Sequence, residues 1–379
     1  MSLETSTVCF SCNGVGLKLK RLGSFPCNPC SSSGYITRAV TKKKHKSPIT
    51  RSYPHFVPSG PEPCLKESDV VLNEKEELSF LTGHWRIFQK IGSHRYSTDD
   101  LLTSFIACRE VRSLGFLEPT KMFDLGCGLG SVLLMNSWHL PEAVCFGMEA
   151  QLDRFELAKR SVMYNLGAQQ QRVQVFHGDI RDIPTLELGC DFNVVTGTPP
   201  YFPKHLTGQP GCSESSRCMH EHLGGVEDYI FSARNLMSSC PTPAIFVICN
   251  TALSSNRVYN GCHVTEMCIL RRVDVIPLEG KHVLFCIFII TANKWLDQFV
   301  VMDQYSTIDR SKLSGFVEMK EIGSGRVVGN VYGEAIEQII VRQKDASHTD
   351  DYCDILSSLG KPSSREREVY RVCKGRSFA

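Results

Sequence analysis

The chain predicts an α/β protein: a Rossmann-like, seven-stranded, mostly parallel sheet with an antiparallel edge hairpin, preceded by a small Cys-rich module. Three observations carry this expectation. Seven short apolar, β-branched runs recur through the middle of the chain. The early runs are separated by segments of helical period, and such repetition with short turns demands crossovers, hence parallel strands with helices on both faces. The last two runs are long and are joined by a segment containing Gly280, which fits a hairpin at a sheet edge.

The runs are, in order, Lys121–Leu125, Ala143–Met148, Val173–Phe176, Phe192–Thr196, Ala244–Cys249, Val264–Val275 and Val283–Thr291. After the second, Leu152–Leu166 places Phe155, Ala158, Val162 and Leu166 on one helical face, and Gly167 follows as a stop. Composition divides the chain into four parts. Residues 1–40 hold paired Cys and Gly with few large apolar residues. Residues 41–66 form a basic, Pro- and Ser-rich linker. Residues 67–342 form the globular domain, and residues 343–379 a polar, flexible tail.

With 379 residues and 42% hydrophobic content, the chain is long enough for one large or two ordinary domains. No window approaches the ~20 consecutive apolar residues that span a bilayer, and Met1–Cys12 has no basic segment followed by an apolar one, so neither a membrane span nor a secretory signal is expected. The 18 Cys then read as reduced thiols, some of them metal ligands, which suits a cytoplasmic or nuclear address and leaves an organellar one open. The net charge of +2 hides a split. Residues 1–51 carry nine Lys or Arg against the single acid Glu4, leaving the remainder at −6. Charge alone leaves two readings of this arm open: a solvated tail, or a segment that meets an anionic partner.

The chemistry concentrates at strand ends. MFDL runs into GCGLG, Gly126 to Gly130, and then into an apolar helical pattern, an arrangement that lets a ligand lie against main-chain N–H groups. Glu149 ends the next strand, where a carboxylate can take both hydroxyls of a ribose. Asp179 follows the third strand, placed for an adenine amino group. The turn after the fourth strand reads TGTPPYF, Thr196 to Phe202. A dinucleotide enzyme accounts for the glycines and Glu149 but not for Asp179 or the Pro-Pro-aromatic turn.

Together the four motifs resemble the class I S-adenosylmethionine-dependent methyltransferases, over roughly residues 85–295. The resemblance implies S-adenosyl-L-methionine as cofactor. It also implies that Asp124 with Gly126, Gly128 and Gly130 holds the cofactor's amino-acid end, Glu149 the ribose and Asp179 the adenine. The turn Thr198, Pro199, Pro200 and Tyr201 resembles the Asn/Asp-Pro-Pro-Tyr/Phe turn of enzymes that methylate planar nitrogens. Such nitrogens are poor nucleophiles, and the turn supplies acceptors for their N–H groups and an aromatic ring for stacking. Thr198 departs from the Asn or Asp usual there.

Upstream, FQKIGSHRYSTDDLLTSFIA (Phe88 to Ala107) resembles the opening of the bacterial tRNA adenine-N6 methyltransferases that act on valine tRNA, which would set Tyr96, Ser97 and Asp99 near the cofactor mouth. The implied activity is methylation of RNA, at adenine N6 of tRNA. Two alternatives stay open: a protein glutamine amide methyltransferase, and an inactive cofactor-binding adaptor. The loop between Pro203 and Leu223, with His205, Cys212, Cys218, His220 and His222, reads as a mobile substrate-side loop rather than a metal site.

Cys9, Cys12, Cys27 and Cys30 form two CxxC pairs separated by 14 residues, a spacing that lets four thiolates close on a structural zinc ion. CFSCNGVG and CNPCSSSGY resemble the CxxCxGxG halves of J-domain co-chaperones, with Ser33 departing from that pattern. Beside them, Lys42, Lys43, Lys44 and Lys46 suit RNA phosphates, and KKKHK also fits a nuclear import signal.

Overall fold

The computed structural model describes residues 56–115, 120–167, 171–185, 191–201, 221–300, 335–345 and 347–366, with the backbone of short strands outside them. The chain divides into two compact units, Met1–Pro54 with Glu368–Ala379, and His55–Arg367. In the first unit, Glu4–Val8 pairs antiparallel with Tyr35–Ala39, Leu17–Lys20 with Gly23–Pro26, and Arg51–Ser52 with Glu368–Val369. Cys9, Cys12, Cys27 and Cys30 lie outside the described residues, as do the loop residues His205, Cys212, Cys218 and His220.

The second unit opens with a hairpin of β1 (Glu76–Thr82) and β2 (Trp85–Lys90), followed by α1 (Thr98–Leu114). Then come β3 (Lys121–Leu125), α2 (Ser131–His139), β4 (Val144–Glu149), α3 (Leu152–Leu166), β5 (Val173–His177) and β6 (Val194–Gly197). After these follow α4 (Val226–Leu236), β7 (Ile245–Thr251), α5 (Ser255–Val264), β8 (Met267–Ile276), β9 (Phe285–Ala292), the short α6 (Leu296–Val300), β10 (Ala335–Ile340) and α7 (Asp350–Ser358). The helix expected over Leu152–Leu166 is present with those bounds, and Gly167 ends it at a φ of 78°.

The central sheet runs β5-β4-β3-β6-β7-β9-β8-β10. All its pairings are parallel except those of β9, which is antiparallel to both β7 and β8. The α/β class and the antiparallel hairpin are therefore as expected, with two differences. The sheet has eight strands rather than seven, because β10 (AIEQII) adds parallel to β8; Glu337 and Gln338 break the apolar run that would have marked it. The reversed strand is internal rather than at the edge. Residues Phe285 to Thr291 of β9 are all buried, which requires cover on both faces and a partner along each side. Helices α1 and α2 pack together across the strands, as do α4 and α5, so the sheet is covered by helices as its buried runs require.

Two boundaries also move. The linker expected over 41–66 ends earlier: Cys64 and Leu65 donate their backbone N–H groups to Asn165 (3.1 Å) and Tyr164 (3.0 Å). The tail expected over 343–379 contains α7, whose Tyr352, Cys353, Ile355 and Leu356 are buried. Thr349 caps this helix, its Oγ1 accepting from the Tyr352 N–H at 3.2 Å. Beyond it, Lys361 is 5% exposed and donates its Nζ to the Leu81 carbonyl. The polar look of the segment comes from the solvent face of an amphipathic helix, while Tyr352, Ile355, Leu356 and Leu359 recur at helical spacing on the other. The ten described cysteines are all free thiols, nine of them buried. Among the described residues no helix is long and apolar enough to cross a membrane.

Candidate active site

From β3 the chain winds outward through β4 and β5, then returns to place β6 on the other side of β3. This is the switch point of an open parallel sheet, where the carboxyl ends of the strands leave a crevice. A cleft partly open to solvent lies there. It gathers Gly126 and Gly128 after β3, Glu149 at the end of β4, and Thr198 and Pro200 after β6.

The glycine loop is required by shape. Gly126 has a φ of 59°, and a Cβ there would come within 2.1 Å of the Tyr229 hydroxyl. Gly128 turns its N–H onto Glu149 Oε2 at 2.9 Å, and a Cβ there would sit 3.2 Å from Arg154 Nη2. Glu149 Oε1 accepts from the Gln151 N–H at 2.7 Å. Burial raises the Glu149 carboxyl above its ordinary value, opposed by the Arg154 charge and these two backbone donors. Arg154, in the first turn of α3, is 6% exposed and directs Nη1 to the His94 carbonyl at 3.5 Å.

Asp124 stands behind the loop, 3% exposed. Its Oδ1 accepts from Thr196 Oγ1 at 2.7 Å, and its Oδ2 has no hydrogen-bond partner among the described residues. Burial pushes this carboxyl up to about 8; the Thr196 hydrogen bond opposes the shift and the neighbouring Asp100 adds to it. The folded state therefore holds a proton that an unfolded Asp releases near 3.8. Since folding takes up a proton in this window, stability contributed here is lost as pH rises from about 4 to about 8. Asp124→Asn has no such titration. Its melting temperature relative to the unmodified protein is expected to shift upward as pH rises across that window; a pH-independent difference would contradict the assignment.

The Thr-Pro-Pro-Tyr turn is tied to the start of α1. Thr198 Oγ1 donates to Asp100 Oδ1 at 3.2 Å, and Tyr201 Oη donates to Asp99 Oδ2 at 2.7 Å. Tyr201 Oη also lies 3.0 Å from Cys249 Sγ. The start of α1 thus reaches the turn, and Tyr96 and Asp100 line the cleft. Pro199 is buried, and Gly130 is the N-cap residue that precedes α2. Asp179 does not line the cleft. Its carboxylate accepts from Arg181 Nε at 2.9 Å and from the Arg181 N–H at 3.0 Å, and these bonds hold it below the usual carboxylate range.

Asp100, Arg154 and Tyr229 are among the lining residues that the sequence does not single out: Asp100 stands beside Asp99, Arg154 sits on a helix whose apolar face dominates its pattern, and Tyr229 is on α4. An acid next to a matched motif residue is the one usable signal among these. Among the described residues no group of three or more His, Cys, Asp or Glu is placed to hold a metal.

No protein-family model and no curated protein matches the chain. Among solved structures it is similar to a predicted O-methyltransferase of Agrobacterium tumefaciens, with 13% identity over 70% of this chain and 98% of that one and a TM-score of 0.43. It is also similar to the TYW2 protein of Pyrococcus horikoshii in complex with MeSAdo, with 13% identity, 58% and 72% coverage and a TM-score of 0.39. A third similar structure is the ribosomal protein L11 methylase of Lactobacillus delbrueckii subsp. bulgaricus, with 8% identity, 53% and 82% coverage and a TM-score of 0.35.

Proposed function

We propose that the protein is an S-adenosylmethionine-dependent N-methyltransferase that acts on RNA, at adenine N6 of tRNA. The observation that carries this reading is the convergence on one cleft of the glycine loop, the buried Glu149 and the Thr-Pro-Pro-Tyr turn, the last tied to α1 by Asp99 and Asp100. The residues suit the cofactor. The buried Arg154 lines the cleft and offers a cation to the carboxylate of an amino-acid group, while Asp124 lies behind the glycine loop, outside the lining. Glu149 uses one lone pair on each oxygen for backbone N–H groups and keeps the others for ribose hydroxyls. Bound there, S-adenosylmethionine supplies an electrophilic methyl group.

The protein's own contribution is placement. Pro199 and Pro200 stiffen the turn, so that its backbone carbonyl and the Thr198 hydroxyl keep fixed positions towards an N–H donor. Tyr201, held by Asp99 and packed against the core, anchors the turn behind the Thr198 and Pro200 that line the cleft. The basic arm, with a zinc ion on Cys9, Cys12, Cys27 and Cys30, holds RNA through phosphate contacts that read no sequence.

The test is transfer of a tritiated methyl group to total RNA from cells lacking the gene. Label in tRNA, recovered as N6-methyladenosine, is expected; label in protein and never in RNA overturns the reading. Affinity for tRNA is expected to fall steeply as salt rises, and removal of residues 1–51 to flatten that slope. Metal analysis is expected to find stoichiometric zinc, lost when Cys9 and Cys12 are replaced by Ser.

A further inference from the structure

A threonine is a poor stand-in for the Asn or Asp of a planar-nitrogen site. Its oxygen sits closer to the backbone, and its hydroxyl proton needs an acceptor before the lone pairs are free for a substrate N–H. Here that proton has a destination. Thr198 Oγ1 donates to Asp100 Oδ1 at 3.2 Å, although the two residues are 98 positions apart in sequence. Asp100 Oδ2 accepts the Ser97 N–H at 2.9 Å, which fixes the carboxylate at the start of α1. Asp99 is engaged differently, accepting from Tyr201 Oη and from Ser97 Oγ. Of the two acids, Asp100 is the one that lines the cleft, together with Thr198, Gly128 and Glu149.

We propose that Asp100 supplies the acceptor that the Thr-Pro-Pro-Tyr turn lacks: with Thr198 Oγ1 it takes the hydrogens of the target nitrogen, and it receives the proton that nitrogen gives up. The inference rests on the N-methyltransferase reading and names the group that does its proton chemistry. The nitrogen lone pair forms the new N–C bond, the C–S bond of the sulfonium breaks with its electron pair going to sulfur, and the N–H proton of the charged nitrogen passes to Asp100 and then to solvent.

The surroundings suit that task. Facing Asp100 are Asp99 beside it, Tyr96 from the same segment, Arg154 from α3, Asp124 from β3, Cys249 from β7 and Lys361 from beyond α7. Desolvation and the Asp99 charge push Asp100 up to about 7, against Ser97, Thr198 and Arg154, which favour its ionised form. A carboxyl in that range accepts a proton near neutral pH.

The test measures tritiated methyl transfer to total tRNA alongside the dissociation constant for S-adenosylhomocysteine. In the unmodified protein kcat is expected to rise with pH to a plateau above about 7. In D100N, kcat falls about 100-fold, that pH limb disappears, and S-adenosylhomocysteine affinity changes by less than about threefold. Adding T198N to D100N restores the usual acceptor and recovers about tenfold, a rescue that a merely structural role of Asp100 does not produce. D100N with the unmodified kcat and pH limb overturns the inference while leaving the methyltransferase reading intact. If D100N also loses S-adenosylhomocysteine binding, D100E decides: a retained pH limb supports the inference, and its loss overturns it. An unmodified protein that transfers no label to tRNA removes the reading itself, and the inference with it.

Discussion

Glu149→Ala is expected to weaken S-adenosylhomocysteine binding by ~2–4 kcal/mol, about 30- to 1,000-fold. Two losses add. The carboxylate is 6% exposed and takes the Gly128 and Gln151 N–H groups at 2.9 and 2.7 Å, so its removal orphans two donors and loosens the glycine loop that faces the ligand. It also removes the remaining lone pairs that the proposed ribose contact uses. Glu149→Gln keeps one acceptor oxygen but turns an amide donor towards a backbone donor, so an intermediate loss is expected. Isothermal titration with the three proteins checks the ranking. Unchanged affinity in Glu149→Ala would remove the cofactor assignment, and the proposed activity with it.

Asp274→Ala is expected to cost ~3–5 kcal/mol of stability, the cost of breaking a buried ion pair by deleting one partner. Arg272 and Asp274 are 3% and 4% exposed. As residues i and i+2 of β8 they share a sheet face. They meet in a two-pronged contact, Nε to Oδ1 at 2.7 Å and Nη2 to Oδ2 at 2.8 Å. Arg272 Nη1 also donates to Tyr259 Oη at 3.2 Å, and Cys286 Sγ on β9 donates to Asp274 Oδ1 at 3.2 Å. Deleting the carboxylate leaves a guanidinium without its counter-charge beside the reversed strand. Replacing both residues, Arg272→Met with Asp274→Leu, removes charge and counter-charge together and is expected to cost far less. Denaturant midpoints for the two variants separate these cases; equal losses would show that the pair matters through shape alone.

Much of the fold was legible because its signals are local. Lys121–Leu125 and Leu152–Leu166 are bounded as expected, since a run of strand formers meeting a glycine turn, and an apolar face ended by Gly167, are local signals. Three features were not. β10 carries Glu337 and Gln338 and pairs with β8 across a long stretch of chain, so its strand character comes from its neighbour. The place of β9 between β7 and β8 depends on which edge was open, which a run of apolar residues does not encode. α7 was hidden by its polar face, and only the buried side of Tyr352 and Leu356 reveals it.

The sequence by itself determined the α/β class, the glycine turn after the first strand of the sheet, the carboxylate at the end of the next, and the Thr-Pro-Pro-Tyr turn. Each is a short pattern whose conformation follows from neighbouring residues. Because parallel strands end on the same side, those patterns were bound to converge. Only the tertiary structure decided what meets them there: Asp100 against Thr198, Arg154 over Gly128, Tyr229 filling the space beside Gly126, and Arg181 on the Asp179 carboxylate. The contacts made by Asp100, Arg154 and Tyr229 join residues far apart in the chain through the packing of α1, α3 and α4 on the sheet. No pattern of nearest neighbours carries that information.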